Sequence, residues 1–200
     1  MWAVCLDLES VLIPEIWQVL AKKLKINELK LTTREIPDFD LLMKRRLDVL
    51  LTNNLKIQDL QKIVKKIKPL NGALSFLNWV RENFLTVISS DTFFEFWKVL
   101  GKRLNYPVVF CNSFEIDKKG FIRGYKIRKK NGKLATVKAL KFLGYKVIAI
   151  GDSYNDIAML RAADVGILFK PPKKMKKEFP QFRSVSNYRE LRSILEKYIS

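Results

Sequence analysis

The chain has 200 residues, of which 48% are hydrophobic and 29% are charged, and its formal net charge is +18. Histidine is absent, which excludes Ser-His-Asp and Cys-His catalysis and histidine-ligated zinc within this chain. No apolar run approaches the ~20 residues that a membrane-spanning helix requires, so we expect no membrane association through such a helix.

The first predicted element is a buried strand over residues 2–8, and a helical segment follows it. Apolar residues at helical spacing predict helices near 14–24, 38–51 and 56–67, and residues 14–70 carry no strand signal. The later predicted elements are helices near 73–82, 92–104, 133–143, 155–162 and 188–198, strands over 84–88, 107–110, 146–150 and 165–169 (the last strand), and a β-hairpin over 114–127.

The alternation of strands and helices after residue 73 predicts an α/β fold, with a Rossmann-like parallel sheet and helices on both faces. The length suits one core domain with a smaller inserted unit. We expect the core to comprise residues 1–13 and 73–200, and residues 14–72 to form a helical cap insertion. In such sheets ligands bind beyond the carboxyl ends of the strands, so the cap is expected to act as a lid there.

Carboxylates follow two of the predicted strands. Asp7 and Glu9 are two residues apart at the end of the first strand, and Asp152 and Asp156 are four apart across a predicted strand-to-helix turn. The first pair projects to the same side if the strand persists, and the second pair can face each other. Because like charges repel and burial increases their cost, two such clusters favour a shared hard cation, most simply Mg²⁺.

The order of these motifs resembles the haloacid dehalogenase-like (HAD) superfamily: an acidic pair, then Ser90, then Lys133, then the sequence GDSYND. The resemblance spans the chain, including the cap. The segments CLDLE, IPEIW, PDFDLLMKRRL, SSDTFFEF, GDSYND and EFPQF resemble the phosphoserine phosphatase group, and within it the bifunctional phosphoserine phosphatase/homoserine phosphotransferase proteins. The resemblance implies Mg²⁺-dependent hydrolysis of L-phosphoserine through an aspartyl-phosphate, with phosphoryl transfer to homoserine left open as a second activity.

The same resemblance implies roles for the carboxylates. Asp7 would be the nucleophile. Glu9, at a position where most of the superfamily has Asp, would be the general acid and base. Asp7, the backbone carbonyl of Glu9 and Asp152 would bind Mg²⁺, and Asp156 would support that site or position Lys133.

Phosphate binding is implied for three residues. The hydroxyl of Ser90 and the backbone N–H of Asp91, which the sequence places at a helix start, would hold phosphate oxygens. Lys133, in Asn131-Gly132-Lys133 before a predicted helix, occupies the place of the phosphate-binding lysine of the family.

Substrate selection is implied for the cap. Glu15 would pair with the substrate ammonium group and Arg46 with its carboxylate, a geometry that suits a guanidinium fork. Helical phase alone does not decide between Arg46 and the adjacent Arg45. Asn155 would form a hydrogen bond near the phosphoryl group.

Two alternative functions stay open. One is a phosphatase of this superfamily for another small ester, such as pyridoxal phosphate or a sugar phosphate. The other is a basic nucleic-acid-binding protein, because a charge of +18 attracts phosphates. The lysines at 22, 23, 25, 62, 65 and 66 interleave with apolar residues, as on the outer face of amphipathic helices, and no nucleic-acid motif accompanies them. We therefore expect no nucleic-acid partner.

The two cysteines, Cys5 and Cys111, lie beside strand-like apolar runs, so we expect reduced core thiols. The sequence also lacks a secretory leader pattern at its start. Together with the lack of a membrane-spanning run, this predicts a cytoplasmic protein. A homodimer remains open.

Overall fold

A computed structural model of the protein describes residues 1–32, 35–36 and 38–199. Pro37, which belongs to the segment PDFDLLMKRRL, lies outside the described residues. The strands are β1 Trp2–Leu6, β2 Leu85–Phe93, β3 Val109–Ile116, β4 Ile122–Lys126, β5 Lys146–Gly151, β6 Val165–Phe169 and β7 Arg183–Val185. The helices are α1 Ile16–Leu24, α2 Phe39–Thr52, α3 Ile57–Val64, α4 Ala73–Asn83, α5 Phe94–Leu100, α6 Gly132–Phe142, α7 Ile157–Ala162, α8 Lys173–Glu178 and α9 Tyr188–Leu195. Short 3₁₀ turns cover Asn27–Lys30, Gly101–Leu104, Tyr154–Asp156 and Glu196–Tyr198.

The seven strands form one sheet in the order β4-β3-β2-β1-β5-β6-β7. The pairs are parallel except β3 with β4, which is antiparallel. The predicted α/β fold with a Rossmann-like parallel core is therefore confirmed. In the centre, Leu6 of β1 is level with Ile88 of β2 and Ile150 of β5. The residues that follow these three positions consequently meet at one edge of the sheet.

The central strand β1 is apolar on both faces because helices cover both sides of the sheet. Val4 and Leu6 pack into a large cluster that includes residues of α4 and α9. Ala3 and Cys5, which alternate with them, pack into a second cluster with residues of α6 and α7. All four side chains are fully buried. This two-sided burial explains why the strand reads as a continuous apolar run and not as an alternating one.

Helices α1 to α3 lie between β1 and α4 in the chain and beside the carboxyl edge of the sheet. Their apolar faces join the larger core cluster. Helix α2 also contacts the edge strand β4. The rings of Phe39 on α2 and Tyr125 on β4 pack edge to face, with their centroids 5.9 Å apart. The Tyr125 hydroxyl donates a hydrogen bond to Asp40 of α2. Among the described residues, no helix is both long enough and apolar enough to cross a lipid bilayer.

Strand β2 is longer than its sequence predicts. It runs to Phe93, with an irregular register against β3 between Ser89 and Phe93. Helix α5 therefore begins at Phe94, so the expectation that Asp91 stands at a helix start is wrong. The side-chain amide of Asn112 on β3 donates to the Asp91 carbonyl and ties this backbone to the sheet.

Two other strand predictions also need correction. The separately predicted strand near 107–110 and the first arm of the hairpin are one continuous strand, β3. The run at 165–169 is not the last strand, because β7 pairs with it in parallel through Leu168 and Ser184. Strand β7 has three residues, of which Val185 alone is buried, so it lacks a hydrophobic pattern long enough to predict a strand.

Candidate active site

A cavity of about 140 Å³ lies between the carboxyl edge of the sheet and helix α2. Nine of the ten predicted site residues line it: Asp7, Glu9, Glu15, Arg46, Ser90, Asp91, Lys133, Asp152 and Asn155. The tenth, Asp156, is fully buried beside it. The structure thus brings together residues from the loop after β1, from β2, from α2, from the start of α6 and from the loop after β5.

The charged centre of this cavity is Lys133, in the first turn of α6 and buried. Its ammonium nitrogen lies 2.7 Å from a carboxylate oxygen of Asp156, 3.0 Å from one of Asp7 and 3.8 Å from one of Asp91. Burial by itself lowers the pKa of the Lys133 side chain, but the carboxylates of Asp156, Asp7 and Asp91 together hold it well above its usual value. Lys133 is therefore a permanent positive charge in the site.

Asp7 follows β1 directly, and its backbone N–H donates to the Ile150 carbonyl at 2.9 Å. The side chain is 7% exposed. Burial raises the pKa of the Asp7 carboxyl, and nearby Asp156 and Asp152 raise it further, against the lowering effect of Lys133. One lysine thus does not compensate the negative charge gathered here, and a further cation would stabilise it.

Asp156 organises the turn after β5. One of its oxygens accepts hydrogen bonds from the backbone N–H groups of Asp152 and Ser153, at 2.9 and 3.0 Å, and from the Ser153 hydroxyl at 3.1 Å. The other oxygen accepts from Lys133. Gly151 permits this arrangement, because a Cβ atom there would lie 2.3 Å from the Asp156 carboxyl carbon. The glycine of the GDSYND motif is therefore required sterically by the last aspartate of the motif.

The carboxylates fit a hard divalent cation. Asp7, Asp152 and Asp156 each offer an oxygen, and these oxygens lie within 4.8 Å of one another. An all-oxygen donor set of this kind suits Mg²⁺. Asp156 already accepts four hydrogen bonds, which agrees better with a supporting carboxylate than with a direct ligand. The ligand set predicted from the resemblance, namely Asp7, Glu9 and Asp152, stays a prediction.

Glu9 lies in the loop between β1 and α1, two residues beyond Asp7. Its carboxylate accepts a 2.7 Å hydrogen bond from the backbone N–H of Ile16, the first residue of α1. Burial raises the pKa of Glu9 to about 7, which outweighs the lowering effect of this hydrogen bond. A carboxyl group with such a pKa can both donate and accept a proton near neutral pH. Strand β1 ends at Leu6. The loop after β1, and not the strand itself, therefore positions Glu9 at the cavity.

The two adjacent arginines of α2 lie in different surroundings. Arg45 is exposed, whereas Arg46 is buried and lines the cavity. The Arg46 guanidinium carbon lies 4.5 Å from the ring centroid of Trp17, and its Nη2 donates to the Leu31 carbonyl at 2.8 Å. Burial lowers the pKa of Arg46 to about 10, although Glu9 and Glu15 raise it. Trp17 belongs to the larger core cluster and also supports this guanidinium.

Ser90 and Asp91 lie on the β2 side of the cavity. The Ser90 hydroxyl oxygen accepts a 3.2 Å hydrogen bond from the backbone N–H of Thr92. The Asp91 side chain is 46% exposed. Asn155 is also exposed, in the turn before α7, and Glu15 accepts a long 3.5 Å hydrogen bond from the Ser10 hydroxyl. The cavity thus has a buried charged floor and an accessible polar rim.

Sequence reasoning assigned no role to Thr92, although it belongs to the segment SSDTFFEF. It lines the cavity and is 4% exposed. A threonine two residues beyond a predicted phosphate-binding serine was the available signal, but hydrophobic periodicity gives no information about where a single hydroxyl points.

Comparison with known proteins gives consistent matches. A family model described as haloacid dehalogenase-like hydrolase matches residues 3–164. The phosphoserine phosphatase ThrH of Pseudomonas aeruginosa is 50% identical over 188 residues, which make up 94% of this chain and 92% of that protein. A phosphoserine phosphatase of Pseudomonas syringae pv. tomato is 47% identical over 188 residues, or 94% of this chain and 79% of that protein.

Among solved structures, a phospho-aspartyl intermediate analogue of phosphoserine phosphatase has a TM-score of 0.77 to this chain. It is 21% identical, and the alignment covers 100% of this chain and 99% of that one. At this identity the likeness concerns the fold, and it extends over the sheet and the helices beside it.

Proposed function

The chain belongs to the haloacid dehalogenase-like hydrolase family, as its motifs predict, and on that premise we propose that it is a phosphoserine phosphatase. The enzyme hydrolyses L-phosphoserine to L-serine and phosphate. Its similarity to two phosphoserine phosphatases over 94% of its length supports this assignment. The observation that carries it is one small cavity with the buried Asp7–Lys133 pair and the buried Arg46 in its walls.

In the first half of the reaction, a carboxylate oxygen of Asp7 attacks phosphorus. The bond between that oxygen and phosphorus forms while the bond from phosphorus to the serine oxygen breaks. Glu9 gives its proton to the departing serine oxygen. Lys133, 3.0 Å from Asp7, and the Ser90 hydroxyl neutralise and hold the phosphoryl oxygens. The products of this half are serine and a phosphorylated Asp7.

In the second half, Glu9 accepts a proton from water, and the water oxygen forms a bond to phosphorus as the Asp7 oxygen leaves. This step releases phosphate and restores Asp7. An alcohol such as homoserine in place of water would receive the phosphoryl group by the same bond changes, and we include this transfer in the proposal as a second activity.

Asp7, Asp152 and the backbone carbonyl of Glu9 would hold Mg²⁺, with Asp156 supporting them. When bound, the ion supplies positive charge to the phosphoryl oxygens. The charge balance of the site supports this part of the proposal, because three clustered carboxylates face a single buried lysine.

Recognition of the amino-acid part falls to the cap residues. The Arg46 guanidinium binds the substrate carboxylate, and Glu15, which lines the same cavity, binds the ammonium group. A substrate that carries both a carboxylate and an ammonium group suits Arg46 and Glu15 better than pyridoxal phosphate or a sugar phosphate does.

Two further features belong to the proposal. Helices α1 to α3, within the predicted insertion 14–72, act as the cap that closes over the substrate. The enzyme works in the cytoplasm, in agreement with Cys5 and Cys111, which form no disulfide in the structure.

The experiment is a phosphate-release assay of the purified protein with phosphoserine, pyridoxal phosphate and glucose 6-phosphate. We expect release from phosphoserine that EDTA abolishes and Mg²⁺ restores. A parallel reaction with homoserine, followed by ³¹P NMR, tests for phosphohomoserine. Absence of metal-dependent release from phosphoserine would contradict the proposed function, and faster release from another ester would replace the substrate.

A further inference from the structure

Two buried side-chain polar atoms have no hydrogen-bond partner within the described part of the protein: Nε of Arg46 and Oγ1 of Thr92. Leaving a buried donor without a partner costs about 1–3 kcal/mol, so such atoms are rare in folded proteins. Both residues line the same cavity. Their coincidence there indicates a site that is completed by a ligand with hydrogen-bonding groups.

Thr92 lies two residues beyond Ser90, on the β2 wall of the cavity. The register of β2 against β3 is irregular between Ser89 and Phe93. Arg46 is supplied to the same cavity by helix α2. The two unsatisfied donors therefore come from different elements and line one cavity.

The backbone of Thr92 is already engaged, because its N–H donates to the Ser90 hydroxyl oxygen at 3.2 Å. Thr92 as a residue is only 4% exposed. Its side-chain hydroxyl is still available to donate a hydrogen bond. Arg46 has an unused donor in Nε, since Nη2 binds the Leu31 carbonyl and Nη1 contacts the sulfur of Met43. A carboxylate has two oxygens and accepts several hydrogen bonds, so one carboxylate can satisfy both groups.

We propose that the Thr92 hydroxyl donates a hydrogen bond to the substrate carboxylate and, together with Arg46, selects amino-acid phosphates over other small phosphomonoesters. This inference rests on the proposed function and adds a specificity residue to it. Thr92 takes no part in phosphoryl transfer itself. Its contribution is therefore to the binding of esters that carry a carboxylate.

The test is Thr92→Val, which removes the hydroxyl and keeps the shape of the side chain. Loss of one hydrogen bond to a charged group corresponds to about 1.5–3 kcal/mol, so we expect KM for phosphoserine to rise about 10- to 100-fold with little change in kcat. Phosphoethanolamine and p-nitrophenyl phosphate lack the carboxylate, and their kcat/KM values should stay within about twofold of the unmodified protein.

Three further variants make the test specific. Thr92→Ser keeps the hydroxyl and should restore most of the affinity. Thr86→Val removes a hydroxyl from the same strand, where it donates to the Phe84 carbonyl outside the cavity, and should leave kinetics unchanged. Thr92→Ala provides a second chain without the hydroxyl if Thr92→Val does not fold, as judged by circular dichroism.

Two results would overturn the inference. One is a KM for phosphoserine in Thr92→Val within twofold of the unmodified protein. The other is an equal loss with phosphoethanolamine, which would place the hydroxyl at the phosphoryl or ammonium end. If the unmodified protein itself does not hydrolyse phosphoserine, the proposed function fails first, and this outcome is distinct from either result.

Discussion

The ammonium nitrogen of Lys133 lies 3.0 Å from a carboxylate oxygen of Asp7, and both side chains are buried. The two residues are far apart in the chain. They meet because β1 ends, and α6 begins, at the same edge of the sheet. The lysine keeps its charge in this setting. Asp7 is therefore held next to a fixed positive charge, where an incoming phosphoryl group is also attracted.

Replacing Asp7 with Asn removes the proposed nucleophile, so we expect turnover of phosphoserine to fall by at least about 10⁴-fold. The fold should persist, because the change relieves repulsion from Asp152 and Asp156. Phosphate release and chemical denaturation measure the two effects. Asp48→Asn, at an exposed position on α2, is the matched control. Activity retained in Asp7→Asn would remove Asp7 from the nucleophile role.

Replacing Lys133 with Met leaves the buried carboxylates of Asp7 and Asp156 without their counter-charge. We expect the free energy of unfolding of the metal-free protein to drop by about 3–5 kcal/mol, and kcat to fall by about 10²–10³-fold. The control is Lys141→Met, since the Lys141–Asp164 pair is partly exposed and should contribute less than about 1 kcal/mol. Equal destabilisation by the two changes would contradict the central role of Lys133.

Arg46→Met should raise KM for phosphoserine by about 10- to 100-fold, because a charged hydrogen bond to the substrate carboxylate is lost. Its stability should hold, since an apolar side chain replaces a buried charge. Arg45→Met, one residue earlier and exposed, should behave like the unmodified protein. Steady-state kinetics of both variants decide the matter, and a larger effect at Arg45 would reverse the assignment.

Glu9 predicts a specific dependence of stability on pH. Its pKa is about 7 in the folded protein, against an ordinary value of 4.5, so the folded state binds this proton more tightly. Between pH 4.5 and 7 the native protein therefore loses stability from this group as pH rises. Urea denaturation in EDTA should show this loss in the unmodified protein and a smaller loss in Glu9→Gln, in which Asp7, whose pKa is also raised, still contributes. Parallel stability profiles for the two proteins would show that the pKa of Glu9 is not raised.

The alternation of strand and helix after residue 73 was predictable because buried parallel strands leave unmistakable apolar runs. The gathering of Asp7, Ser90 and Asp152 followed from the same logic, since parallel strands end at one edge. Strand β7 was not predictable, because three residues with one buried side chain carry no periodicity. The start of α5 was misplaced because the sheet extends β2 through a register irregularity, which depends on contacts between strands.

The sequence also did not show which of several similar nearby residues belongs to the site. Arg45 and Arg46 are equivalent by composition, and only the packing of α2 against Trp17 selects Arg46. Thr92 could not be distinguished from other hydroxyl residues, because its significance lies in lacking a partner. The residue types of the site were therefore readable from the sequence, whereas tertiary packing determined which of two adjacent side chains entered the cavity.

Strand β1 occupies the middle of the sheet, yet it precedes both of its neighbours in the chain. During translation, its apolar residues emerge well before Leu85–Phe93 and Lys146–Gly151, with which they pair. Contacts between residues so far apart in the sequence form slowly, and the apolar strand stays exposed to solvent until they have formed. Nascent chains interrupted before Lys146 should consequently aggregate or occupy chaperones, whereas loss of the final helix should be far less harmful to this pairing.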